Sequence, residues 1–118
     1  MNRYTIRGAT TVNYNREEDI EKETINLLNK IFDENSLKYD DIESIIFTCT
    51  KDLDAVYPAK FARKIGLKDV TLLCMQEMAV KNSLEKCIRV LIFLRNNVKL
   101  KNVAHIYLNN AKVLRKDL

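Results

Sequence analysis

The hydrophobic positions near the start of the chain follow a helical period. Apolar residues recur at spacings of three and four between positions 20 and 32, while charged and amide side chains fill most positions between them. Such spacing places one apolar stripe along a helix. We predict a helix from Arg16 to Glu34 with Asn15 as its N-cap, because an asparagine side chain can accept a hydrogen bond from the first turn. The stripe consists of Ile20, Thr24, Leu27, Leu28, Ile31 and Phe32.

Five other runs are short and rich in β-branched or aromatic residues, which favours strands. The predicted strands are Tyr4–Ile6, Ile42–Thr50, Val70–Cys74, Cys87–Arg95 and Ala104–Leu108. Pro58 suits the first position of a short helix, Ala59–Ile65, which Gly66 would close. The pattern therefore predicts an α+β fold, a mixed sheet of about five strands with one long and one short helix.

The strand predicted at Cys87–Arg95 is apolar on both faces. Its side chains alternate, with Ile88, Val90, Ile92 and Leu94 on one face and Arg89, Leu91 and Phe93 on the other. The long helix can cover only one face, and about five strands do not close a barrel within one chain. We therefore expect the second face to pack on a neighbouring subunit in a homo-oligomer.

Arg89 is unusual because it carries a permanent positive charge into this apolar strand. Placing a guanidinium there is costly unless an anion or several acceptors meet it. Arg7, inside the extended segment Thr5–Thr11, repeats the pattern. Two such arginines indicate a site for a small anion, although a structural ion pair with a protein carboxylate would also account for Arg89.

Composition narrows the function classes. The 118 residues are enough for one domain, residues 1–118, with 47% hydrophobic and 31% charged residues as in folded globular proteins. The formal charge of +4 comes from scattered basic residues, so nucleic acid is not an expected partner. No apolar run is long enough to span a bilayer, and the polar start is unlike a signal peptide, so we expect a cytoplasmic protein. Three cysteines without paired spacing and a single histidine, His105, do not form a metal-binding pattern.

Several separate motifs resemble those of the AroH-class chorismate mutases, and they occur in order along nearly the whole chain. The motifs are Ile6–Val12, Asp52–Lys60, Cys74–Met78, Cys87–Val90, Ile106–Leu108 and Val113–Arg115. The resemblance implies a homotrimer whose sheets form a central pseudo-barrel, with active sites in the clefts between subunits. The implied reaction is the Claisen rearrangement of the dianion chorismate to prephenate, a step toward phenylalanine and tyrosine, with no metal or other cofactor.

The resemblance also implies roles for individual residues. Arg89 would donate to the ether oxygen and to a carboxylate of the substrate, and Glu77 with the Cys74 region would orient its ring hydroxyl. We take Arg89 and Glu77 as the catalytic residues. The other predicted substrate-binding residues are Arg7, Leu73, Cys74, Met75, Gln76, Tyr107, Tyr57, Lys60, Arg63 and Arg115. Of these, Arg7 and Tyr107 would bind carboxylates. Tyr57, Lys60 and Arg63 would come from the neighbouring subunit, and Arg115 would cover the entrance.

Some positions depart from the family pattern. Leu73 stands where a small polar residue is frequent, Tyr57 replaces a frequent phenylalanine, and Lys116 lacks the proline expected after Arg115. Cys74 and Glu77 are three residues apart, so the strand must end or bulge between them for both to face the substrate.

Two alternative functions remain compatible with paired arginines. A RidA-like imine deaminase also places an arginine at the interface of a related trimer, although the Cys74–Glu77 motif does not suit that family. A non-catalytic regulator that binds a small anion would keep Arg7 and Arg89. Turnover of chorismate would separate the mutase from both.

Overall fold

The computed structural model describes residues 4–115, in which two α-helices pack on one face of a five-stranded sheet. The elements in chain order are β1 (Thr5–Thr11), α1 (Glu17–Asn35), β2 (Ile42–Cys49), α2 (Ala59–Ile65), β3 (Thr71–Gln76), β4 (Cys87–Leu94) and β5 (Ile106–Tyr107). Short 3-10 helices span Tyr39–Asp41 and Asn109–Arg115. The predicted α+β class is confirmed. The last residues of the predicted tail, Lys116 to Leu118, lie outside the described residues.

Strand β4 lies at the centre of the sheet, whose order is β3-β2-β4-β1-β5. It pairs antiparallel with β1 and with β2, and each of these pairs parallel with one edge strand. Strands β1 and β2 are therefore parallel but separated by β4, and α1 connects them. Helix α2 connects the adjacent parallel strands β2 and β3, a connection that needs such a crossover. Within residues 4–115 the two edge strands do not pair, so the sheet stays open.

The face of the sheet that carries both helices is here called the covered face. All six residues of the predicted α1 stripe are buried. Four of the six share one core cluster with strand residues, of which Ile6, Ile45, Phe47 and Ile92 are fully buried. Gly8 permits the close approach of α1 to β1, because a Cβ atom at this position would lie 2.7 Å from the Cδ1 atom of Ile31.

The opposite face is here called the open face, because no helix of the described residues packs on its centre. Arg89, Leu91 and Phe93 point to it, as the alternation predicted, and Leu91 and Phe93 are only half-buried. On β3, Leu73 is 52% exposed and Met75 is 47% exposed. The open face is therefore apolar and accessible within one chain.

One end of the open face is covered by the C-terminal 3-10 helix. Its residue Ala111 is fully buried and packs with Ala9 of β1 and Cys87 of β4. This helix begins two residues after Tyr107, so the chain passes directly from the edge strand onto the sheet. On the open face, the part beneath the C-terminal 3-10 helix borders the accessible part near Arg89.

Several strand boundaries differ from the prediction. Strand β1 reaches Thr11 instead of ending at Ile6, because it pairs with β4 along its whole length. Strand β3 reaches Gln76 instead of ending at Cys74 and stays in register with β2 up to Cys49. Strand β5 contains only Ile106–Tyr107, fewer residues than the predicted Ala104–Leu108.

The predicted N-cap of α1 was wrong. Arg16 occupies that position and makes no side-chain cap hydrogen bond. The Asn15 side chain instead holds the loop after β2: its Oδ1 accepts from the backbone N–H groups of Asp54 and Ala55, both at 3.1 Å. A capping residue and a residue that joins two loops have the same sequence signature, so the pattern alone did not separate them. Within residues 4–115, no helix has the length and apolar character required to cross a bilayer.

Candidate active site

One cross-strand row on the open face collects several predicted site residues. The register aligns Tyr107, Ala9, Arg89, Thr48 and Met75 in order from β5 to β3. Directly paired residues of neighbouring strands point to the same face of a sheet. Ala9 is fully buried and packs with Ala111 of the C-terminal 3-10 helix, so the other four residues of the row form its accessible part.

Four residues of this row line a cavity of about 260 Å³, here called the arginine cavity: Tyr107, Arg89, Thr48 and Met75. Arg7 joins it from two residues before Ala9 on β1, and Glu77 joins it from two residues after Met75. Alternation along a strand repeats every two residues, so these spacings bring both side chains to the same face as the row. Two guanidinium groups, a carboxylate and a phenol therefore meet at one site.

Glu77 is held by strand β2 through two groups. Its backbone N–H donates to the carbonyl oxygen of Cys49 at 2.8 Å, which continues the β3–β2 pairing one residue beyond the strand. Its Oε2 accepts a hydrogen bond from Oγ1 of Thr48 at 2.7 Å. The carboxylate is thus fixed beside the row although Glu77 lies in a loop.

Arg89 forms an ion pair with this carboxylate. Its Nη1 atom lies 3.3 Å from Oε2 of Glu77, with the two side chains 50% and 26% exposed. The structural ion pair considered for Arg89 therefore exists, but both partners line the cavity. Partly exposed pairs stabilise a fold only weakly, and a guanidinium has five N–H donors, so this contact leaves Nε and Nη2 for an anion.

The other end of the cavity is also positively charged. The guanidinium carbon of Arg115 lies 5.8 Å from the centre of the Tyr107 ring, a cation–π contact. The backbone N–H of Arg7 donates to Nδ1 of His105 at 3.0 Å. Burial, followed by the charges of Arg7 and Arg115, lowers the pKa of His105. A neutral imidazole is the form that can accept this hydrogen bond, so the local charges and the geometry of β1 agree.

A second cavity, of about 520 Å³ and here called the thiol cavity, contains other predicted residues. Tyr57, Cys74, Met75 and Gln76 line it, and Tyr57 is 73% exposed. Burial raises the pKa of the Cys74 thiol, while the backbone N–H of Ala59 and the charge of Arg63 lower it. The net increase keeps this thiol protonated at neutral pH, so it is a polar wall group and not a thiolate nucleophile.

Cys74 and Glu77 do not converge within one chain. Strand β3 does end between them, at Gln76, but the pairing continues through the backbone of Glu77. The alternation is therefore uninterrupted, and Cys74 packs toward the core beneath the covered face while Glu77 turns to the open face. The predicted joint contact of these residues with one substrate is not formed by a single chain.

The remaining predicted residues do not all lie at one site either. Lys60 contacts α1, with its Nζ atom 2.8 Å from Oε2 of Glu17. Arg63 lies close enough to Cys74 to influence its pKa. Leu73 projects from the open face, and Met75 lines both cavities. One chain thus carries two sets of predicted residues, one around Arg89 and one around Cys74.

The sequence patterns did not single out Thr48, which lines the arginine cavity, or His105, which accepts a hydrogen bond from the backbone N–H of Arg7. The alternation within Ile42–Thr50 places Thr48 on the face opposite Phe47, but it does not identify Arg89 as its neighbour. That neighbour follows from the β2–β4 register, which joins residues about 40 positions apart. Within residues 4–115 no group of three or more histidine, cysteine or acidic side chains is arranged to hold a metal ion.

Comparison with known families identifies the chain. Residues 4–118 match the family model described as chorismate mutase type I. The chain belongs to the chorismate mutase type I family. The mutase is 45% identical over 114 residues to chorismate mutase AroH of Bacillus subtilis, a match that covers 96% of this chain and 90% of the relative. It is 40% identical over 114 residues to chorismate mutase AroH of Thermus thermophilus, covering 96% and 93% respectively.

A solved structure agrees with these relatives. The mutase superimposes on a chorismate mutase from Clostridium thermocellum with a TM-score of 0.88 and 50% sequence identity, over 93% of this chain and 98% of that chain. The predicted family and the prediction of an isomerase are therefore confirmed. The RidA-like deaminase and the non-catalytic regulator are not supported.

Proposed function

We propose that this mutase converts chorismate to prephenate in the arginine cavity, as a step in the biosynthesis of phenylalanine and tyrosine. The observation that carries the proposal is the convergence of Arg7, Glu77, Arg89 and Tyr107 on one cavity of about 260 Å³. Two guanidinium groups suit a substrate with two carboxylates, because arginine is always charged and donates two parallel hydrogen bonds to a carboxylate.

The reaction is unimolecular, so the protein contributes geometry and charge. The ether C–O bond breaks ahead of C–C bond formation, and negative charge accumulates on the ether oxygen. A fixed donor aimed at that oxygen binds the transition state more strongly than the ground state. Arg89 takes this role, since its guanidinium is held on the central strand and retains N–H groups beyond the one that contacts Glu77.

The other residues select the compact conformer of a flexible substrate. Arg7 clamps one carboxylate, and the phenol of Tyr107 donates to a carboxylate from the β5 side of the cavity. Glu77 accepts the hydrogen bond of the ring hydroxyl. Holding both ends of the substrate in a reactive geometry lowers the entropic part of the barrier to the rearrangement.

A complete site requires a second chain under this proposal. In one chain, Tyr57 and Cys74 line the thiol cavity and do not reach the arginine cavity. A homotrimer in which the open faces pack around a central pseudo-barrel would bring Tyr57, Lys60 and Arg63 of one chain to the arginine cavity of its neighbour. The exposure of Leu73 and Met75 supports such packing, because accessible apolar patches are typical of interfaces. Arg115 would cover the entrance, and the cytoplasm is the proposed location.

The test of this function is direct. Purified protein is incubated with chorismate while the absorbance of its conjugated diene is followed and prephenate is quantified. Loss of the diene with an equal yield of prephenate supports the proposal. Binding of chorismate without turnover contradicts it. Sedimentation at several protein concentrations tests the trimer separately.

A further inference from the structure

Thr48 is next to both members of the ion pair formed by Arg89 and Glu77. It is the cross-strand partner of Arg89 on β4 and of Met75 on β3. Glu77 follows Met75 by two residues, on the same face. The hydroxyl of Thr48 is therefore in the arginine cavity, next to both the guanidinium and the carboxylate.

The contacts of the Glu77 carboxylate are unevenly divided between its two oxygens. Oγ1 of Thr48 donates to Oε2 at 2.7 Å, and Nη1 of Arg89 lies 3.3 Å from the same oxygen. Within residues 4–115, both of these contacts are made to Oε2 and neither is made to Oε1. A carboxylate can accept at both oxygens, so Oε1 retains its full capacity for a donor that enters the cavity.

Two successive residues of β2 fix this arrangement. Cys49 anchors the backbone of Glu77 through a hydrogen bond of 2.8 Å, and Thr48 anchors the end of its side chain. A glutamate side chain that is free to rotate loses conformational entropy when it binds a ligand, whereas a side chain fixed in advance does not. The hydroxyl of threonine has a single hydrogen to donate, and in this site it is directed to Oε2.

We infer that Thr48 is a positioning residue that turns Oε1 of Glu77 toward the ring hydroxyl of the substrate. The inference rests on the proposed function, since it assigns the proposed partner of Glu77. Thr48 itself does not contact the reacting atoms. It acts by holding Oε2 of Glu77 in a hydrogen bond, so that Oε1 faces the cavity. Its contribution therefore depends on two other groups, the carboxylate of Glu77 and the hydroxyl of the substrate.

The first measurement compares Thr48→Val with Thr48→Ser. Valine keeps the shape and the β-branching of threonine but removes the hydroxyl, whereas serine keeps the hydroxyl. We expect Thr48→Val to lower kcat/KM for chorismate about tenfold, as for loss of one hydrogen bond to a charged group, and Thr48→Ser to stay within about twofold of the wild type. Thr71→Val is the matched control, because Thr71 is exposed at the far end of β3 and does not line the arginine cavity. An unchanged kcat/KM in Thr48→Val overturns the inference.

The second measurement separates positioning from a structural role. It uses an analogue of chorismate that lacks the ring hydroxyl but keeps the ether and both carboxylates. A positioning role predicts that the wild type and Thr48→Val turn over this analogue at equal rates. A merely structural role of Thr48 would lower turnover of both substrates by the same factor, and that result overturns the inference.

If Thr48→Val lowers the melting temperature, a double substitution distinguishes lost stability from lost positioning of Glu77. In a Glu77→Ala background, Thr48→Val and Thr48→Ala should cause no further loss of kcat/KM, because the carboxylate they act through is gone. An additional tenfold loss in that background overturns the inference. A wild type that does not convert chorismate at all refutes the proposed function, whereas a wild type that does so with an unaffected Thr48→Val refutes only the role of Thr48.

Discussion

The two faces of the sheet use the same strands for different purposes. On the covered face, Phe47 and Ile92 are fully buried beneath α1 and α2. On the open face, Phe93 is half-buried and Leu73 is 52% exposed, and the charged groups of the arginine cavity project from the same surface. The covered face carries the main hydrophobic core, and the open face carries the candidate site.

Adjacent residues of one strand illustrate how sharply these roles divide. In β4, Val90 is in the main core while Arg89 lines the cavity. A shift of the β4 register by one residue would exchange the two side chains and place a guanidinium beneath α1. The hydrophobic residues of the covered face therefore also determine that Arg89 reaches the cavity.

The largest expected effect comes from removing an aromatic ring from the covered face. Phe47→Ala should lower the free energy of unfolding by about 3–5 kcal/mol, because Phe47 is fully buried and its loss leaves a cavity. Urea unfolding monitored by circular dichroism measures this loss. The loss should not depend on protein concentration, since both helices that cover Phe47 belong to its own chain.

Phe93→Ala is the matched control on the open face. If another copy covers Phe93, its substitution weakens association, so the apparent stability should fall more at low protein concentration. Equal, concentration-independent losses for Phe47→Ala and Phe93→Ala would contradict the proposed packing of open faces.

The next largest effect should be a loss of catalytic rate without a loss of stability. Arg89→Lys removes bidentate donation and should lower kcat by about 10² to 10³-fold, the usual loss for one transition-state donor. Its melting temperature should change little, because the Arg89–Glu77 pair is partly exposed. Steady-state kinetics with chorismate and a thermal melt measure the two quantities. An unchanged kcat would exclude Arg89 as the main catalytic residue.

A smaller effect on the covered face should come from Gly8→Ala. The added Cβ would lie 2.7 Å from Cδ1 of Ile31 and 3.1 Å from Cγ2 of Val90, so α1 must shift or Ile31 must change rotamer. Overpacking of this kind costs about 1–3 kcal/mol of stability. Chemical denaturation measures the cost. We expect kcat of the folded protein to fall less than in Arg89→Lys, and a larger fall would show that α1 also determines the position of Arg7.

The smallest effect should be a pH dependence at the edge of the open face. The pKa of His105 in the folded protein is lowered from 6.5, so below that pH the unfolded chain takes up a proton that the folded chain resists. Stability attributable to His105 is therefore complete above about pH 6.5 and falls as the pH decreases toward the folded pKa. His105→Asn supplies an uncharged acceptor for the N–H of Arg7. Between about pH 7.5 and about pH 5.5, the melting temperature of this variant should fall less than that of the wild type. Equal decreases in melting temperature would contradict the role of His105.

Sequence patterns predicted the elements whose signals are local. The stripe from Ile20 to Phe32 fixed the buried side of α1, and the alternation in β4 separated its two faces. The full length of β1 was missed because its second half contains Gly8 and Ala9, which have little strand propensity of their own. Pairing with β4 overrides that propensity, and pairing is not a local property.

The candidate site was predictable to the extent that its residues are unusual. Arg7 and Arg89 stand out as charges in extended apolar segments, and the family motifs supplied Glu77 and Tyr107. Thr48 does not stand out, because a threonine in a strand is ordinary. The role inferred for Thr48 rests on its cross-strand neighbours and on two distances, which only the folded chain provides.

Because β4 lies between β1 and β2, a growing polypeptide on the ribosome carries two of its sheet strands long before the strand that joins them. The pairing of β1 and β2 with β4 cannot be complete before residue 94 has been translated. Exposed strand edges of this kind recruit other chains. A prematurely terminated product would thus be prone to aggregate, and it would also lack Arg89, which arrives with the strand that completes the sheet.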